Sequence, residues 1–144
     1  MKAGATKRLV LDASMTLAWC FEDESTAYTE AVLDLLANGA EAVVPSVWPL
    51  EVANALLVGE RRKRITLAQV TAALERIGDL PISIDPMRVD RAFGPILLLA
   101  RKEQLSEYDA AYLDLALREG LPLATLDNKL RHTAQSAGIA LAKV

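Results

Sequence analysis

Residues 8–14 read RLVLDAS, and residues 123–129 read LATLDNK. Each is a short aliphatic run of strand character that stops at Leu-Asp. A carboxylate at the end of a buried strand costs several kcal/mol, on the order of a whole hydrogen-bonded pair or more, unless something pairs with it. Two such strands in one chain call for a common explanation.

Between them, strand-like and helix-like segments alternate. Met15, Leu17, Ala18 and Phe21 make Ser14 to Phe21 a short helix. Ser25 or Thr26 opens a second, with Tyr28, Ala31, Val32, Leu35 and Leu36 on one face and Asn38-Gly39 at its end. EAVVP, 41–45, reads as a strand stopped by proline. Ser46 is placed to cap a third helix, with Pro49 in its tolerated first turn. Thr66-x-x-Gln69 is a capping box opening a helix over 67–77. PISID, 81–85, is the next strand, and 89–102 is a helix broken at Gly94-Pro95. Ser106-x-x-Asp109 opens a helix closed by Gly120. LPLATL (121–126) is a strand, 128–137 a helix and IALAKV (139–144) a final strand. This alternation predicts an α/β fold with a mainly parallel central sheet and helices on both faces. Ligands of such sheets bind outside the carboxyl ends of the strands, where Asp12 and Asp127 stand.

The chain has 144 residues, of which 52% are hydrophobic, so the sequence reads as a single domain, 1–144, with a real core. The single Cys20 excludes an internal disulfide and suits a reducing compartment. The apolar run at 95–100 is too short to span a bilayer, and MKAGATKRL lacks the core of a signal peptide. A cytoplasmic protein with no membrane association is expected. The formal charge of −3 speaks against a simple nucleic-acid binder.

Two further carboxylates are out of place. Glu51 has Val47, Trp48, Asn54 and Ala55 as its helical neighbours, an apolar stripe with one amide. Asp109 lies one turn before Tyr112 and Leu113, on the side expected to face the sheet. Singly, each has a structural reading. Asp12 and Asp127 can cap the helices that follow, Asp109 can complete its Ser-x-x-Asp box, and Glu51 can snorkel. As a set, four anions in one pocket repel and call for a cation. All-oxygen donors favour Mg²⁺ or Mn²⁺, and with His132 and Cys20 the only residues of their types there is no zinc set.

The blocks LVLDASMTLAWC, VPSVWPLEVANALL and LSEYDAAYLDLALREGLPLATLDNKL resemble, in order and over nearly the whole chain, the motif blocks of PIN-domain proteins, above all the VapC-type toxin ribonucleases. The resemblance implies a PIN-like α/β/α sandwich and a metal-dependent endoribonuclease, the toxin of a type II toxin–antitoxin pair. It also implies a VapB-like antitoxin, a homodimer and an RNA substrate. The family's acidic positions fall on Asp12, Glu51, Asp109 and Asp127, and its supporting polar positions on Ser14, Asn54 and Thr125. One or two Mg²⁺ or Mn²⁺ ions would be held by Asp12, Asp109 and Asp127, with Glu51 binding directly or through water. The segment at 1–7 is a longer start than the family usually shows and is expected to be flexible.

Leaving the four carboxylates out turns the formal charge from −3 to +1, which removes the objection to RNA. Arg61, Arg62, Lys63 and Arg64 can contact its backbone, or simply form a solvated basic helix end. Trp19 and Trp48 read as structural anchors, Asp114 and Arg118 as an exposed helix pair, and His132 as surface. Two other readings remain: a PIN fold that binds without cleaving, and a receiver-like phosphoacceptor. The second would want adjacent acidic residues after strand one, where Ala13 follows Asp12.

Overall fold

A computed structural model describes residues 8–144, so the expectation for residues 1–7 lies outside it. The strands are β1 (Arg8–Leu11), β2 (Glu41–Pro45), β3 (Ile82–Asp85) and β4 (Leu123–Ala124). They form one sheet in the order β3-β2-β1-β4, and every pairing is parallel. The chain thus steps from β1 outward through β2 to β3, then returns past both to place β4 on the other side of β1. Right-handed crossovers put the helices of the two directions on opposite faces. The first set is α1 (Ala13–Ala18), α2 (Ala27–Ala37), α3 (Trp48–Arg61) and α4 (Leu67–Gly78). The second is α5 (Val89–Phe93), α6 (Pro95–Glu103) and α7 (Glu107–Glu119), and α8 (Asn128–Ser136) follows β4. The expected α/β/α sandwich is what forms. Strand order reverses between β1 and β4, so the crevice beyond their carboxyl ends is the topological switch point at which such sheets bind ligands.

Local signals set most element ends. The Thr66 hydroxyl accepts from the Gln69 N–H at 3.1 Å while Gln69 Oε1 accepts from the Thr66 N–H at 2.9 Å, the expected capping box. Thr26 rather than Ser25 caps α2. Gly94-Pro95 separates α5 from α6, because proline cannot donate to the preceding turn. Gly120, at φ 66°, closes α7 in the left-handed conformation that glycine adopts without strain.

Three expectations are corrected. Ser46 does not cap α3: its N-cap is Val47, with no side-chain hydrogen bond, and Pro49 in the first turn spares the helix one orphan donor. The closing strand shrinks to a single parallel bridge between Leu123 and Leu141, since β4 offers it only a two-residue edge. Asp114 and Arg118 are not an exposed pair. α7 is buried from Ala110 through Ala116, between the sheet and α6, so Asp114 is enclosed. Its carboxylate takes a two-pronged bond from Arg91 of α5, Nε at 2.9 Å and Nη2 at 2.5 Å, while Arg118 turns to Asp85 at 2.7 Å. A buried carboxylate needs such a partner, and planar guanidinium supplies two parallel donors.

The core holds Leu9, Val10 and Leu11 of β1, Val43 and Val44 of β2, Val32 and Leu36 of α2, and Trp48, Val52 and Leu56 of α3. Trp19 and Trp48 are anchors as expected: the Trp48 indole N–H donates to the Thr16 hydroxyl at 3.1 Å and that of Trp19 to the Thr29 carbonyl at 2.8 Å. Among the described residues no helix is long and apolar enough to cross a membrane.

Candidate active site

Asp12 follows β1 directly and is the N-cap of α1, so one residue ends the strand, starts the helix and faces the crevice. It is buried, and its partners come from both sides of the switch point. Oδ1 accepts from the Ser14 N–H at 3.1 Å. Oδ2 accepts from the Ser14 hydroxyl at 2.9 Å and, in a short bond, from the Thr125 hydroxyl just after β4. Those hydroxyls are themselves fixed: Ser14 Oγ accepts from the Leu126 N–H at 3.1 Å, and Thr125 Oγ1 from the Asp127 N–H at 3.0 Å. Ser14 and Thr125 thus lace the ends of β1 and β4 together through one carboxylate. The cap reading of Asp12 is what forms, and the same carboxylate faces the crevice at the switch point.

Asp127, exposed, caps α8 by accepting from the Leu130 N–H at 3.0 Å. Asp109 sits in the first turn of α7, whose cap is the Ser106 hydroxyl accepting from the Asp109 N–H at 3.0 Å. Glu51, in the first turn of α3, accepts from the Tyr112 hydroxyl at 2.5 Å. It does not snorkel away from the apolar stripe around it; it points into the molecule toward α7.

The four carboxylates share one electrostatic site. Burial raises the Asp12 carboxyl above its usual range, against the hydrogen bonds from Thr125 and Ser14, and Asp127 adds to the rise. Burial likewise raises Glu51, opposed by the Tyr112 bond and reinforced by Asp12 and Asp109. Asp109 is raised by burial and then by Asp12 and Asp127. Like charges at short range disfavour one another's ionised forms, and these three all feel that repulsion. The expectation of a tight cluster needs one correction. Among the described residues no three such side chains stand close enough to enclose a metal ion. Asp12 and Glu51 are tied to hydroxyl partners of their own.

The donor chemistry nevertheless fits a hard divalent cation. It is all oxygen, His132 is exposed, and Cys20 is engaged with the Thr16 carbonyl at 3.5 Å. Asp12 Oδ1 carries a single hydrogen bond and keeps a lone pair free.

Other named residues go elsewhere. Asn54 is exposed and lines a separate groove with Leu17, Phe21, Val58 and Arg62, one turn along α3 from Glu51, so it supports none of the carboxylates directly. Arg64 is exposed, its guanidinium bonding Asp23 at 3.2 Å and Glu24 at 3.1 Å and lying 4.3 Å over the Phe21 ring. Arg61, Arg62 and Lys63 remain exposed at the α3–α4 turn. Tyr112 joins the site through its hydroxyl, a role the sequence reading does not assign. The signal that marks it is a tyrosine inside an otherwise aliphatic buried helix, where the hydroxyl must find a partner.

Known proteins share this fold. No curated protein sequence matches the chain significantly. Among solved structures, the protein PAE2754 of Pyrobaculum aerophilum superposes with a TM-score of 0.65 at 21% identity, covering 92% of this chain and 87% of that one. VapBC2 of Rickettsia felis, bound to a DNA fragment from its promoter, gives 0.66 at 14% identity, covering 94% and 97%. VapC20 of Mycobacterium tuberculosis, a toxin that cleaves the sarcin–ricin loop, gives 0.64 at 17% identity, covering 94% and 99%. At these identities the likeness is one of fold. The PIN domain profile matches residues 9–136, from β1 through the end of α8 and across all four carboxylates, and the chain belongs to the PIN-domain family.

Proposed function

We propose that this protein is a metal-dependent endoribonuclease acting as the toxin of a toxin–antitoxin pair. The observation that carries the reading is the placement of Asp12, Glu51, Asp109 and Asp127 around the switch point of a PIN fold, just after β1 and β4 and in the first turns of α3 and α7. One or two Mg²⁺ or Mn²⁺ ions held by Asp12, Asp109 and Asp127, with Glu51 direct or through water, would activate water and offset charge on the leaving oxygen. The protein's own part is positional. Ser14 and Thr125 fix the Asp12 carboxylate, the caps of α7 and α8 fix Asp109 and Asp127, and Arg61, Arg62 and Lys63 draw the RNA backbone to the crevice.

A VapB-like antitoxin and a second copy of the chain are the proposed partners. The antitoxin segment is placed in the groove of Leu17, Phe21, Asn54 and Arg62, with a basic side chain pairing the carboxylates. The second copy finds no complete apolar face on α2 and α3, because Val32, Leu36, Trp48, Val52 and Leu56 are consumed by the chain's own core, although Leu50 and Leu57 stay exposed. It is placed on residues 84–98, where Ile84, Met87, Val89, Phe93 and Leu98 are exposed.

The test is cleavage of RNA by the purified protein with EDTA, Mg²⁺ or Mn²⁺. Activity in either metal, none in EDTA, and none from Asp12→Asn is the expected result. Cleavage by Asp12→Asn equal to that of the parent would move catalysis elsewhere. An antitoxin encoded beside the gene should suppress the activity.

A further inference from the structure

Tyr112 is fully buried, and its hydroxyl reaches across the site. It donates to Glu51 Oε1 of α3 at 2.5 Å. Its own helix, α7, carries Asp109 three residues earlier, one turn away on the same face. A phenol has a single proton to give, and here that proton goes to Glu51. Glu51 is only half-buried, and its long side chain would otherwise be free among several rotamers. Ring packing fixes the phenol, and the phenol fixes the carboxylate.

We infer that Tyr112 is the positioning residue of the acidic site: its hydroxyl holds Glu51 in one rotamer and in register with Asp12 and Asp109. The inference rests on the reading of these carboxylates as a cation site for what the positioning achieves, and on geometry alone for the positioning itself. One lone pair of Glu51 Oε1 goes to the phenol, which leaves its other lone pair and both of Oε2 for a cation. Neighbouring hydrogen bonds of this kind tune metal affinity by roughly 10- to 100-fold.

Tyr112→Phe removes only the hydroxyl and keeps the ring that fills the core. Two measurements on the folded variant decide the matter. In metal-free protein, side-chain scalar couplings by NMR should show Glu51 in one rotamer in the parent and averaged in Tyr112→Phe. Titration calorimetry with Mn²⁺ should show binding weakened by about ten-fold in Tyr112→Phe, with kcat falling and the KM for RNA unchanged. In an Glu51→Ala background the Tyr112→Phe change should weaken Mn²⁺ no further. Unchanged Glu51 couplings, or a Mn²⁺ loss that persists in full without Glu51, overturns the inference while leaving the nuclease reading standing. A parent that binds no Mn²⁺, with Glu51 still loosened by Tyr112→Phe, sinks the nuclease reading and leaves the positioning role in place.

Discussion

At the scale of single residues, the site is built from groups that oppose folding at neutral pH. Asp12, Glu51 and Asp109 have carboxyls raised above the unfolded values of 3.8, 4.5 and 3.8. A raised acid favours the fold while protonated. Its contribution is complete below the unfolded value and is lost as pH rises through the folded one. In EDTA these three groups should therefore make the protein less stable at pH about 7 than at mildly acidic pH, the loss beginning just above those unfolded values. Asp109→Asn should flatten that dependence, and Mn²⁺ should restore stability most at neutral pH, where the carboxylates it binds are ionised. Thermal melts of parent and variant across this range check it. Parallel profiles would mean that the fold tolerates the charges without strain. In Asp12→Asn, relief of repulsion is opposed by a lost acceptor. The Ser14 and Thr125 hydroxyls each already accept a backbone N–H and donate to one Asp12 oxygen, and the Ser14 N–H donates to the other. Whichever way the amide turns, its N–H₂ group faces a donor on one side, a loss worth about 1–3 kcal/mol.

At the scale of elements, α3 is the most constrained helix. It places Glu51 at its start and passes close to Phe21 near its end, and Gly59 makes that approach possible. A Cβ there would stand 2.8 Å from Phe21 Cζ, 2.9 Å from Cε1 and 3.3 Å from Ile65 Cγ2. The ring cannot swing away easily, being buried and covered on one face by Arg64. Gly59→Ala gains about 1 kcal/mol of helix propensity. Overpacking costs about 1–3 kcal/mol, so the balance is a net destabilisation of about 1 kcal/mol. Urea unfolding measures it, and a stabilised variant would show that α1 and α3 can part at no cost. Since Phe21 and Asn54 line the same groove, such parting would also be read by weaker antitoxin binding.

For the whole molecule, one exposed apolar surface is the β3–α5–α6 side. The edge strand β3 is half open to solvent, and the five helical residues of α5 bury no side chain completely. Phe93 is 76% exposed and Leu98 64%, and such apolar patches serve as contact surfaces. Light scattering should find a dimer for the parent and a monomer for Phe93→Asp, with Asp12→Asn remaining dimeric. A monomeric parent would leave this face without the second copy assigned to it.

The sequence by itself determined whatever depends on neighbours a few residues apart. The Thr66–Gln69 box, the Ser106 cap, the break at Gly94-Pro95 and the turn at Gly120 are all local bonds or local torsions, legible without the fold. The βα alternation settled the parallel sheet, and the two Leu-Asp strand ends put carboxylates where such a sheet binds ligands. Tertiary structure alone decided what those side chains meet. Tyr112 and Glu51 are 61 residues apart, Thr125 and Asp12 113, Arg91 and Asp114 23. Hydrogen bonds of that kind are directional and short, so they depend on the relative placement of whole helices and strands. The same holds for Asp114, which periodicity put on the surface and packing between α7 and α6 enclosed. Local sequence sets where each acid sits on its element, and the fold decides which acids act on one another, because charges far apart in the chain repel only where packing brings them near.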